Sequence, residues 1–278
     1  MIKNLLTRTL TGILYVALTI AALYSYSWVF FGIFAIFMLG SLKELCGILA
    51  VKNHRIPQLF AYFFAIALFT LSCGNVFFSW QISYSLAVIP LLLALCLHQI
   101  CNKKSENPVE TIANTIFSVV YVALPFCLLA YIVGGTINTL STQCLHVAAC
   151  MFILIWSNDT FAYLWGISFG KHRLCPRISP KKSVEGFVGG LISTLALAFF
   201  IPYCIDTSLG RWQWVGAAAV IVTAATFGDL FESSLKRYAE VKDSGTILPG
   251  HGGFLDRLDS VLFAIPSFYV YLQIILLV

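Results

Sequence analysis

Apolar runs close to the length of a bilayer core recur from one end of this chain to the other, separated by short polar breaks. Reading the runs against their breaks predicts about nine helical spans, near 10–25, 28–50, 57–73, 80–98, 111–133, 146–167, 187–204, 212–231 and 260–278. A helix crossing the hydrocarbon core needs about 20 predominantly apolar residues, and these runs cluster around that length. No internal repeat is evident, so a duplicated transporter architecture gains no support. The expected fold class is therefore all-α, a polytopic integral membrane protein. We read residues 1–278 as one membrane domain, with N-terminal scaffold helices over 1–145 and C-terminal catalytic helices and loops over 146–278. The first run follows Lys3 and Arg8, but no small-residue cleavage site follows it, so a retained first span is expected.

Composition agrees. Of 278 residues 59% are hydrophobic and only 10% charged, where a soluble domain carries about 25%. The nine cysteines (46, 73, 96, 101, 127, 144, 150, 175 and 204) form no CxxC pair and lie mostly inside apolar runs. They read as small buried hydrophobes, with no disulfide or zinc site expected.

Charge then orients the chain. Of 17 basic residues, all but Arg211 fall before span one, around the end of span two, or after spans four, six and eight. The positive-inside rule makes that side cytoplasmic and puts the N-terminus inside and the C-terminus outside. The two long polar segments, 168–186 and 232–259, then face the same compartment, where a cytoplasm-facing polar cavity is expected.

Three stretches carry groups capable of chemistry. Asn158 and Asp159 interrupt an apolar helix, with Tyr163 four residues on from Asp159 along the same face. An acid there is costly unless it is paired or hydrated, so it suggests a polar cavity wall. The 168–186 loop carries Lys181 and Lys182, followed by Ser183 and Glu185 at the start of the next span. Ser183 suits a helix cap, and helix N-terminal amides attract phosphate. The third stretch, 229–259, holds six of the 12 acidic residues: Asp229, Glu232, Glu240, Asp243, Asp256 and Asp259. Asp229 and Glu232 share a helical face, with Ser233 and Lys236 one turn further on. Asp256 and Asp259 repeat the i, i+3 spacing. Two helix ends offering hard oxygen ligands suit Mg²⁺, which keeps water and also binds substrate phosphate. Between them Gly250, Gly252 and Gly253 suit an anion-cradling turn, although the spacing is not that of a Walker loop. His251 reads as a hydrogen-bonding turn residue. Together these groups point to metal-dependent phosphoryl or nucleotidyl transfer on a lipid.

The stretch SSLKRYAEVKDSGTILPGHGGFLDRLD (233–259) resembles the signature of phosphatidate cytidylyltransferases, the CDP-diacylglycerol synthases. Asn158-Asp159-Thr160-Phe161-Ala162-Tyr163 and Ser179-Pro180-Lys181-Lys182-Ser183-Val184-Glu185-Gly186 match secondary motifs in the same order, with Ser183 where the family commonly has Thr. The resemblance implies conversion of CTP and phosphatidate to CDP-diacylglycerol and pyrophosphate, with Mg²⁺ and a monovalent cation such as K⁺. It implies Asp229 and Asp256 as metal ligands, supported by Glu232 and Asp259. It places Lys236, Arg237, Lys242 and Arg257 on phosphates, beside Asp243, with Asp159, Lys181 and Lys182 completing the cavity. The expected partners are CTP, phosphatidate and the bilayer of a bacterial cytoplasmic membrane, with no nucleic acid and a homodimer implied by the family. A CTP-dependent transferase acting on an isoprenoid ether lipid or a polyprenol is the alternative. A transporter would explain the spans but not the phosphate-compatible groups on one face.

Overall fold

The computed structural model describes residues 2–25, 27–50, 56–102, 107–134, 142–245 and 252–276, without the side chains of 2–8, 142 and 276. Among these residues nine α-helices follow one another: α1 (Ile2–Tyr24), α2 (Ser27–Ala50), α3 (Gln58–Phe77), α4 (Ser85–Cys101), α5 (Pro108–Gly134), α6 (Thr142–Phe169), α7 (Val184–Cys204), α8 (Arg211–Tyr238) and α9 (Leu255–Leu276). Each falls on one of the nine apolar runs. Seven are long and apolar enough to cross a membrane, while the apolar part of α1 (Thr9–Tyr24) and α4 are shorter. With 17 residues α4 extends about 25 Å, less than the roughly 30 Å hydrocarbon core.

Apolar surroundings offer no water to satisfy polar groups, and the side chains show the consequence. Thr19, Ser72, Thr115, Ser118, Thr223 and Thr226 each donate their hydroxyl to the carbonyl four residues earlier. Large side chains such as Leu59, Phe63, Ile100 and Trp212 stand exposed, as lipid-facing positions should.

Where helices depart from the apolar runs, local chemistry explains it. The fourth helix begins at Ser85 rather than near 80, because Asn75 holds a turn by accepting from the Ile82 amide and donating to the Ile82 carbonyl. The eighth continues to Tyr238, seven residues past the end of its apolar run, through good helix formers and an ion pair between Glu232 and Lys236 one turn apart. The ninth starts at Leu255, five residues before its apolar run, where a buried carboxylate from elsewhere takes its first amides.

Among the described residues, one segment forms strands. Residues 173–183 form an antiparallel hairpin of β1 (Arg173–Cys175) and β2 (Ser179–Ser183), so the all-α expectation needs this small addition. Short strands without alternating apolar positions leave no periodic signal in the sequence.

The chain divides into two compact units. The first comprises residues 1–131 and 238–258. Its core includes the rings of Phe30, Phe34, Phe69 and Phe126, with centroids 4.7–6.5 Å apart where they pair. Tyr84 donates to Ser72 at 2.9 Å and meets the Tyr131 hydroxyl at 2.7 Å, so these polar groups are satisfied inside the unit. The second comprises residues 132–237 and 259–278. Here α6 and α7 pack through small residues: Gly186 lies too close to the Ala162 carbonyl for a side chain, and Gly190 lies tightly against Ala162 and Asn158. Gly228 of α8 likewise lies against the Asp259 carbonyl and Phe263 of α9.

Candidate active site

The second unit contains an open cavity of about 540 Å³. Its apolar wall includes Ala162, Ile167, Leu174 and Phe187. Its polar lining is Asn158, Asp159 and Tyr163 from α6, Arg173 from β1, Lys181, Lys182 and Ser183 from β2, Thr226 and Asp229 from α8, and Ser260 from α9. Two of the three stretches singled out by the sequence therefore meet in one place, with one residue of the third.

The hairpin reaches this position through the start of α7. Ser183 caps that helix, its hydroxyl accepting from the Gly186 amide at 3.1 Å, as its place in the sequence suggests. Glu185 does not line the cavity. Its carboxylate accepts from the Lys171 and His172 amides at 3.1 Å and meets the His172 ring at 2.6 Å, which pins the base of the hairpin. Arg237 supports the other end, donating to the Ile178 carbonyl. Lys181 and Lys182, adjacent near the end of β2, are thereby presented by a structure fixed at both ends.

Asp229 forms an ion pair with Lys182 at 2.5 Å and accepts from Ser233 at 3.2 Å. One turn on, Glu232 is fully buried and pairs with Lys236 at 2.7 Å. Asp259 of α9 is half-buried within electrostatic range of Asp229, Glu232 and Asp159. Gly228 makes this approach of α8 to α9 possible, since a side chain there would collide with the backbone of Asp259 itself. The four carboxylates stand among Arg173, Lys181, Lys182 and Lys236, so both signs are present, and hard oxygens are the donor set a divalent cation selects. Among the described residues no three His, Cys, Asp or Glu side chains are gathered closely enough to close around an ion. Such a donor set suits a cation that uses one or two carboxylates and fills its shell with water and substrate phosphate.

Asn158 is buried, and among the described residues its side-chain oxygen has no hydrogen-bond partner where α6 crosses Gly190. A buried acceptor left this way costs about 1–3 kcal/mol, so a ligand or water reaching it is favoured.

The remaining predicted residues belong to the first unit. Lys242, Asp243 and Arg257 are exposed. Gly252 adopts φ +81°, and a side chain there would strike the Asp256 carboxylate. Asp256 opens α9, its Oδ2 accepting from the Gly253 amide at 2.7 Å and from Ser244 N and Oγ at 3.0 and 2.9 Å. Gly250 and His251 lie outside the described residues. All nine cysteines are free, but only Cys46, Cys73, Cys127 and Cys150 are buried, while Cys101 and Cys204 are exposed, so the reading as buried hydrophobes holds for those four alone.

Sequence reasoning did not single out Arg173, Thr226 or Ser260, which line the cavity, nor Glu44, buried on α2 of the first unit. For Glu44 a signal existed: it interrupts an apolar run just as Asp159 does.

Comparison with known proteins agrees with this chemistry. The pattern of the Cytidylyltransferase family matches residues 6–275. The phosphatidate cytidylyltransferase of Staphylococcus aureus strain COL is 32% identical over 260 residues, covering 93% of this chain and 95% of its own length. That of Staphylococcus haemolyticus is 33% identical over 226 residues, covering 81% and 83%. With this match over nearly its whole length, and with acids and cations lining one cavity between apolar helices, the chain belongs to the cytidylyltransferase family and is a nucleotidyltransferase.

Proposed function

We propose that this protein transfers cytidylate from CTP to phosphatidate, yielding CDP-diacylglycerol and pyrophosphate at the cytoplasmic face of a bacterial membrane. The observation that carries the reading is the cavity that sets Arg173, Lys181 and Lys182 beside Asp159 and Asp229, with an apolar wall alongside. The relatives named above are phosphatidate cytidylyltransferases, which supports the same substrates here. The distribution of basic residues supports the cytoplasmic orientation.

In this reading the phosphatidate headgroup meets Arg173, Lys181 and Lys182 while its acyl chains follow the apolar wall. An oxygen of its phosphate attacks the α-phosphorus of CTP in line. The bond from the α-phosphorus to the oxygen bridging to the β-phosphate breaks, and its electron pair leaves with pyrophosphate. The attacking phosphate is already ionised near neutral pH, so no protein base is required. Lys182, released from Asp229 by the incoming phosphate, offsets charge that builds on the transferring group. Asp229 and Asp256 would be the protein ligands of Mg²⁺, with Glu232 and Asp259 in support and K⁺ as a second cation. When bound, the metal neutralises the triphosphate and orients its α-phosphorus. Lys236, Arg237, Lys242 and Arg257 are proposed to meet the remaining phosphates.

A panel of lipid acceptors tests the substrate. Purified protein with CTP and Mg²⁺ is offered phosphatidate, a phosphorylated isoprenoid glycerol ether and a polyprenyl phosphate. Turnover of phosphatidate is expected to dominate. Preference for either other lipid would redirect the reading to a related transferase.

A further inference from the structure

Glu44 lies on α2 with only 6% of its surface exposed, and three donors of the first unit converge on it. Its carboxylate accepts from the Phe254 amide at 3.0 Å, the Leu255 amide at 2.9 Å and the Ser244 hydroxyl at 2.7 Å. The two amides open α9, so a helix cap is supplied from more than 200 residues away in sequence. Gly245 and Gly253 press against the same carboxylate, with no room for a side chain at either position.

Ser244 connects this carboxylate to a second one. Its hydroxyl oxygen stands 2.7 Å from Glu44 and 2.9 Å from Asp256, while its amide and that of Gly253 donate to Asp256. A single hydroxyl hydrogen serves both acids, so moving one disturbs the other. The backbone that fixes Asp256 is thus the backbone that Glu44 fixes.

We infer that Glu44 is a positioning residue for Asp256: it holds Ser244 and the start of α9 so that the Asp256 carboxylate is set before metal or nucleotide arrives. The inference rests on the functional reading above, in which Asp256 serves the divalent cation. A carboxylate held by three donors on one oxygen keeps its orientation through binding, and partners of this kind govern metal affinity by about 10–100-fold.

The test compares wild type with Glu44→Gln and Ser244→Ala in detergent. Glutamine keeps the length of Glu44 but turns an amide group toward donors. Alanine removes only the hydroxyl link and leaves the cap on α9 in place. Mn²⁺ binding to purified protein, followed by the paramagnetic resonance of the free ion, is expected to weaken about tenfold in Glu44→Gln. Ser244→Ala should weaken it in the same direction by less, with a melting temperature near wild type. The Mg²⁺ concentration giving half-maximal turnover should rise in parallel. Wild-type Mn²⁺ affinity in both variants, or in a Glu44→Gln protein that has lost only thermal stability, would overturn the inference. Absence of Mn²⁺ binding by wild type that still makes CDP-diacylglycerol would also overturn it. Failure of wild type to make that product removes the functional reading instead, and the Mn²⁺ comparison still decides whether Glu44 acts on the acid.

Discussion

Lys182 and Asp229 hold one another across the cavity, Nζ to Oδ2, at 2.5 Å. One is expected to serve phosphate and the other metal, so each keeps the other's charge compensated until the ligands compete for both. The two side chains are each 29% exposed, so the pair is half-buried, and an incoming phosphate and cation would re-pair both charges. A triphosphate with its cation can therefore separate them at little cost, which suits a site that must be refilled every turnover.

Replacing Lys182 by Met removes the cation while keeping most of the side-chain volume. We expect kcat/KM for CTP and phosphatidate to fall about 10²-fold, in the range for losing one group aimed at transition-state charge. The melting temperature should fall modestly, because Asp229 loses the partner of a half-buried pair. Steady-state kinetics and thermal unfolding in detergent check both. Undiminished kinetics would place Lys182 outside the chemistry.

Asp229→Asn retains shape and the hydrogen bond from Ser233 but loses the charge. Turnover is expected to drop by at least about 10²-fold, with the protein still inserted and folded. Raising Mg²⁺ should recover part of the rate. A fully active Asn variant would remove Asp229 from the metal set.

The close crossing of α6 and α7 makes a stability prediction. In Gly186→Ala the new methyl would meet the Ala162 carbonyl at 2.8 Å and the Ser183 hydroxyl at 2.9 Å. Forcing atoms into such a contact costs about 1–3 kcal/mol. Unfolding in mixed detergent should shift accordingly, and activity should fall with it because Lys181 and Lys182 hang from the same helix start. Ser183→Ala, which loses the cap alone, should cost about 1 kcal/mol.

The helices were legible because lipid imposes both a length and a composition on them. What hydropathy hides is where polar chemistry extends or shortens a helix. Asn75 delays α4, the Glu232–Lys236 pair prolongs α8, and Glu44 starts α9 early. The Ser183 cap was legible from a hydroxyl just before an apolar run. Its neighbour Glu185 was not, since nothing local reveals that it turns back to the Lys171 and His172 amides. Asp159 was legible as a residue type out of place in an apolar run, and Lys182 and Asp229 as members of the two long polar stretches. That Lys182 pairs with Asp229 was not, because 47 residues separate them and no periodicity links a strand to a helix. Glu44 carried the same signal as Asp159 but stands near Lys43 and Lys52, where charge reads as the ordinary end of a span.

Metal removal addresses the donor set as a whole. Chelation with EDTA should abolish turnover, and Mg²⁺ should restore it. Full activity in the chelator would exclude a divalent cation from the reaction.

The central claim is transfer of the α-phosphoryl group with its nucleoside to phosphatidate, and the position of a label tests it most directly. Purified protein, Mg²⁺ and phosphatidate are incubated in parallel with CTP carrying radioactive phosphorus at the α or at the γ position. The account predicts α label in a lipid that co-migrates with CDP-diacylglycerol and γ label in an equal amount of pyrophosphate. Label from the γ position in the lipid, or no labelled lipid from either CTP, would contradict it.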